Sequence, residues 1–135
     1  MEHKSPKVFL SGRLKSKWQD KVIKEVHSAI FFDPRTHGLK NPRDYTAWDL
    51  DHIASSDIVF AYMENDNPSG YGLATEVGYA KALGKTVILV DEKSATNQDF
   101  RRYFALVRET SDATFNSFDE GLAFFKKILQ EWQQK

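Results

Sequence analysis

An open parallel α/β sheet, doubly wound with helices on both faces, is the fold this sequence predicts, and three observations predict it. Two apolar runs, Ile58-Val59-Phe60-Ala61-Tyr62-Met63 and Thr86-Val87-Ile88-Leu89-Val90, are uninterrupted and lie mid-chain, as strands buried on both faces of a parallel sheet do. Segments of helical periodicity alternate with these and with shorter apolar runs. Breaker-rich loops follow the strands rather than two-residue hairpin turns, which fits crossover connections.

Lys7–Gly12, KVFLSG, is a short apolar run stopped by Gly and reads as the first strand. From Ser16 to about His27 the residues Trp18, Val22, Ile23 and Val26 have helical spacing, with Ser16 placed to cap. Ala29–Phe32 predicts a second strand, and DPRTHGLKNPR, from Asp33 to Arg43, predicts a loop. A helix is expected over 43–55, the third strand over 57–63, and then DNPSGYG leads into a helix closed by Gly84. Thr86–Asp91 is the fourth strand. Phe100, Tyr103, Phe104 and Val107 suggest a further helix, Ala113–Phe115 a fifth strand, and Ser117 to about Gln133 a last helix. That helix carries Phe118, Leu122, Phe125, Leu129 and Trp132 as one stripe, and Phe124 and Ile128 widen it enough for a subunit contact.

Five strands in 135 residues fit the flavodoxin-like order 2-1-3-4-5 in one domain over residues 1–135. Ligands of such sheets bind beyond the carboxyl ends of the strands. Ser11, Gly12 and Arg13, the loop with Asp33 and Arg35, and Ser69, Gly70 and Gly72 are expected to gather there.

Composition removes several function classes. Lys plus Arg and Asp plus Glu number 19 each, so no net charge draws the chain to nucleic acid or membrane. Without cysteine there is no disulfide, thiolate metal site or Cys nucleophile. The histidines at 3, 27, 37 and 52 show no metal-ligand spacing. No apolar run approaches the roughly 18 residues of a membrane span, and the start MEHKSPK has no signal-peptide core, so a cytoplasmic location is expected.

Two carboxylates carry the candidate chemistry. A helix starting near Gly72 or Leu73 puts Glu76 in its first turn, where the helix dipole keeps a carboxylate ionised and suited to act as nucleophile or electrostatic stabiliser. The plainer alternative is an ordinary first-turn Glu after a tight Ser-Gly turn. Tyr45, Asp49 and Ile53, at i, i+4 and i+8, share a helix stripe on which Asp49 faces desolvation, a rise in pKa and the capacity to carry a proton. The alternative there is an Asp at the stripe's edge reaching solvent. One ionised and one protonatable carboxyl beside a cleft match the logic of glycosyl chemistry. The competing use of Ser69–Gly72 is an anion cradle, helped by Arg35, His37, Lys40 and Arg43. The run, however, is neither a dinucleotide fingerprint nor a P-loop.

Three segments, VFLSG, WDLDHIASSDIVFAYM and GYGLATEVGYAKALGKTVILV, together resemble the nucleoside 2-deoxyribosyltransferase family and its relatives, the deoxynucleoside 5′-monophosphate N-glycosidases, over most of residues 7–91. The resemblance implies the flavodoxin-like fold and a retaining double displacement at the anomeric carbon of a deoxyribose. Glu76 falls on the nucleophile that forms a deoxyribosyl-enzyme, and Asp49 on the acid that serves the nucleobase. It also implies small-molecule deoxynucleoside and nucleobase ligands, a role in nucleotide salvage, no cofactor and a homo-oligomer with sites near subunit interfaces. Substrate contacts are expected from Phe9, Ser11, Gly12, Arg13, Asp33, Arg35, Trp48, Ser69, Gly70 and Gly72. This chain departs from the pattern at three points. Phe9 stands where the family has a Tyr that hydrogen-bonds the nucleophile, leaving Tyr62, Tyr71 or Tyr79 to supply a hydroxyl. Gly70 stands where an Asp often precedes the Glu. Asp112 or Asn116 stands where a neighbouring subunit lends an Asn.

Overall fold

The computed structural model describes residues 5–133, so His3 and the first four residues of the charged start lie outside it. Its five strands, β1 (Lys7–Gly12), β2 (Ile30–Phe32), β3 (Ile58–Met63), β4 (Thr86–Asp91) and β5 (Ala113–Phe115), form one sheet in the order β2-β1-β3-β4-β5. Every neighbouring pair is parallel. The chain leaves β1 for the β2 side, then returns to β3 on the other side. The switch point therefore falls between β1 and β3, where Gly12 pairs with Tyr62.

Alternation along the strands sends side chains to two cores. Val8, Leu10, Phe60, Ile88 and Val90 face α1 (Trp18–Glu25) and α7 (Phe118–Gln133), meeting Val22, Leu122, Phe125 and Leu129. Phe9, Val59, Ala61, Met63, Val87 and Leu89 face α2 (Pro42–Ala54) and α3 (Tyr71–Ala82), meeting Ile53, Leu73, Val77 and Ala80. All six residues of β3 are buried, as its unbroken apolar run requires. In the described chain no helix is long and apolar enough to cross a membrane.

Several element ends differ from the sequence expectation, each for a local reason. Ser16 does not cap α1, because its hydroxyl is taken by Glu64 at 2.7 Å; the N-cap is Lys17, in a left-handed conformation. Ala29 packs on the core but precedes β2. The expected helix near Phe100 is three short ones, α4 (Glu92–Thr96), α5 (Gln98–Tyr103) and α6 (Ala105–Thr110). The Asn97 side chain breaks the run by capping α5, accepting from the Phe100 N–H at 3.0 Å. Phe124 and Ile128 pack on the chain's own core, Phe124 against Phe115 at 5.0 Å between ring centroids, and both stay partly exposed.

The buried Asp91, at the end of β4, caps α4 through the Ser94 N–H and accepts from the Arg108 guanidinium at 2.7 Å, which ties α6 back to the sheet. On the opposite face α7 lies so close to β4 that a Cβ at Gly121 would sit 2.2 Å from Val90 Cγ2. Gly121→Ala is therefore expected to destabilise the protein by about 1–3 kcal/mol in urea unfolding, with a smaller penalty in a Val90→Ala background.

Candidate active site

At the carboxyl edge of the sheet, Gly70 sets where α3 begins. It is the N-cap, with φ 79° and ψ 13°, and a Cβ there would lie 2.7 Å from Met63 Sδ. Only Gly meets both conditions without strain, so the position expected for an Asp is closed to one by backbone and packing. The turn before it is held by Asn67, whose side chain accepts from the Ser69 N–H at 3.1 Å. Helix α3 starts at Tyr71, with no acidic residue in its first turn, so Glu76 sits in the second turn.

The Glu76 carboxyl is held from two other elements. Ser11, two residues beyond Phe9 and on the same face of β1, donates its hydroxyl to Glu76 Oε1 at 2.6 Å. Ser11 is thus the hydroxyl partner; Tyr71 is 81% exposed and the Tyr62 hydroxyl donates to Glu92. Asp49 comes from α2, whose start is fixed by Asn41 capping the Arg43 N–H with Pro42 in the first turn. On the Tyr45–Asp49–Ile53 stripe, Ile53 is fully buried and Tyr45 is 39% exposed. Asp49 falls between core and solvent, against Glu76.

Electrostatics here reverse the expectation for Glu76. Burial, and then the neighbouring Asp49 carboxyl, raise its pKa well above the usual range; the Ser11 hydroxyl opposes them. The helix dipole does not prevail because its influence fades beyond the first turn. Glu76 therefore favours its protonated form beside the Asp49 carboxyl.

The pair lies at the inner end of a cavity of about 310 Å³. Leu14, Pro34, Leu39 and Tyr45 give it apolar walls, and His37 adds an imidazole. A second, more polar cavity of about 380 Å³ shares its Gly12–Leu14 and Gly72–Leu73 edges and is lined by Arg13, Asn67, Ser69 and Gly70. The cleft therefore has an apolar compartment of a size for a planar base and a polar one beside it.

The remaining sequence candidates separate by location. Phe9 is fully buried beneath the site and meets Trp48, which stacks on His52 at 3.7 Å and supports His37 edge-on at 4.9 Å. Arg13 bridges two loops, reaching Asp66 Oδ1 at 2.9 Å and its backbone carbonyl at 3.1 Å. Asp33 and Arg35 bond each other, at 2.7 Å for the closest contact, and Arg35 also holds Asp20, so this pair organises its loop. Lys40 and Arg43 are exposed. Asp112 is at the opposite edge of the sheet, accepting from the Val87 N–H and pairing with Lys81, both at 2.8 Å. Asn116 follows β5 and is exposed, so in one chain neither it nor Asp112 joins the pair. Leu14 and Leu39 line the cavity without having been nominated by sequence pattern, because each sits in an irregular loop, and His37, expected to help an anion cradle, lines the apolar cavity beside Asp49 instead. Among the described residues no cluster of three His, Cys, Asp or Glu is placed to hold a metal ion.

Comparison with known proteins bears on this architecture. Among curated sequences nothing matches the chain significantly. Three solved structures share its fold. A 2-desoxiribosyltransferase from Leishmania mexicana has 16% identity and a TM-score of 0.69, over 90% of this chain and 97% of that one. A conserved protein from Enterococcus faecalis V583 has 14% identity and a TM-score of 0.64, over 97% and 99%. The Clostridium botulinum CMP N-glycosidase BcmB has 21% identity and a TM-score of 0.59, over 90% and 98%. The family model described as "Nucleoside 2-deoxyribosyltransferase like" matches residues 5–94, a span that contains Ser11, Asp49, Glu76 and both cavities. With that match across two-thirds of its length, the chain belongs to the nucleoside 2-deoxyribosyltransferase-like family.

Proposed function

We propose that the protein cleaves the N-glycosidic bond of a 2′-deoxynucleoside through a covalent deoxyribosyl–Glu76 intermediate and passes the sugar to another nucleobase. The observation that carries this reading is the Glu76–Asp49 contact at the end of the apolar cavity. Neighbouring carboxyls that interact directly favour attack by one of them over the wider spacing that an inverting mechanism needs for its water.

In the free site the proton of the pair rests on Glu76, the group whose proton affinity burial raises. With the base seated between Leu14, Leu39 and Tyr45, that proton passes to Asp49. Asp49 then delivers it to the departing base nitrogen as the C1′–N bond breaks. Glu76, now a carboxylate steadied by Ser11, closes on the oxocarbenium-like C1′ to give a glycosyl ester. An incoming base attacks C1′ from the vacated side, gives its proton to Asp49 and releases Glu76, so two inversions give net retention. A second reading takes a nucleoside 5′-monophosphate and water as acceptor. It is favoured by the polar compartment, where Arg13, Ser69 and the first N–H groups of α3, which no N-cap side chain bonds, suit a phosphate.

Incubation with a deoxynucleoside, with and without a second free base, separates these outcomes by chromatography. A new nucleoside supports transfer, free base alone supports hydrolysis, and no product from either the nucleoside or its monophosphate refutes catalysis. Glu76→Gln is expected to remove at least about a thousandfold of kcat with the fold intact. Ser11→Ala deprives Glu76 of its donor, so kcat/KM should fall about tenfold near neutral pH, with its acid limb moved to higher pH. Stability gives an independent check. Because the folded pKa of Glu76 is raised, its contribution is fully present below the unfolded value near 4.5 and is lost as pH rises through the folded value. Thermal unfolding of Glu76→Gln should therefore show a stability advantage over wild type that grows from pH 5 to pH 8.

A further inference from the structure

Asp49 Oδ1 is buried and has no hydrogen-bond partner, an arrangement that native proteins seldom leave unexplained. The group facing this oxygen is the imidazole of His37, with Nε2 at 3.9 Å. Only 9% of the His37 side chain is exposed, and the edge of Trp48 supports the ring. Its other nitrogen is committed, since Nδ1 accepts from the Leu39 N–H at 2.8 Å. An imidazole that accepts at Nδ1 carries its proton on Nε2. An N–H is thus held 3.9 Å from the buried Asp49 oxygen that has no hydrogen-bond partner. The gap is short enough to close when a base fills the cavity that His37 also lines, as catalytic hydrogen bonds often do on binding.

We infer that His37 is a positioning residue for the acid: its Nε2–H holds Asp49 Oδ1, which turns the other carboxyl oxygen toward Glu76 and the leaving base. The same bond stabilises the Asp49 carboxylate left after the proton has gone to the base, so it is worth most in the transition state. The Gly38 turn and the Leu39 N–H lock the tautomer that this role needs. The inference rests on the assignment of Asp49 as the acid.

Two conservative variants separate positioning from loop architecture. His37→Asn keeps an acceptor near Nδ1 for the Leu39 N–H but removes the Nε2 donor. His37→Gln keeps a donor near Nε2 and loses the acceptor. The expected result is a loss of about tenfold or more in kcat for His37→Asn with KM little changed, and near wild-type kcat for His37→Gln. The reverse order, or full turnover by both variants, overturns the inference. A second measurement needs no turnover and so separates failure here from failure of the proposed function. Nitrogen-15 spectra of the wild-type imidazole should place the proton on Nε2, and Asp49→Asn should move that resonance while leaving His27 unmoved. A proton on Nδ1, or an Nε2 signal indifferent to Asp49→Asn, overturns it whatever the activity assay shows.

Discussion

Two carboxyl groups pressed together in a partly dry cleft cannot both be charged without a large penalty, and the rest of the site is arranged around that constraint. Burial and its neighbour raise the proton affinity of Glu76 before any ligand arrives. Three separate elements enforce the contact. Strand β1 brings the Ser11 hydroxyl, α3 brings Glu76 and α2 brings Asp49. None of these could be placed by local sequence preference alone; the parallel sheet fixes their spacing through the β1–β3 register.

The sheet can hold such a charge arrangement because its two cores are large and apolar on either side. At the same edge the buried Asp91 carboxyl is satisfied by the Ser94 N–H and Arg108. The strain of the acid pair is therefore local, a pattern in which activity is kept at some cost in stability. Arg13 and Asp66 join the loops after β1 and β3 across the mouth of the cleft, at a point where solvent still screens the pair.

The strands were legible in the sequence because burial on both faces writes itself as unbroken apolar runs, which is why β3 and β4 match their expected spans almost to the residue. The helix ends at Lys17 and Asn97 were not, since one depends on a left-handed residue and the other on a side-chain cap inside an aromatic run. Glu76 and Asp49 could be chosen from helix position and stripe, but the sign of the Glu76 shift could not. Desolvation is a property of what packs around a group, and a one-residue change in where α3 starts removes the help of its dipole. Arg35 and Asp112 looked available because their partners, Asp20 and Lys81, lie far off in sequence or on another element. His37 stood out only as one member of a basic loop, and its place beside Asp49 depends on how that irregular loop folds.

Helix α2 is attached to the body of the protein almost entirely along one line, with Ile53 its sole fully buried residue among thirteen. Glu76 rides on a helix rooted in the core, whereas Asp49 rides on one that mostly faces water. Substitution of the part-exposed Tyr45 would remodel the wall of the apolar compartment at little expense to folding. The architecture thus separates what must stay constant from what is free to drift. Change on the exposed side of this surface helix reaches the cavity wall, while Glu76 stays anchored to the sheet through α3.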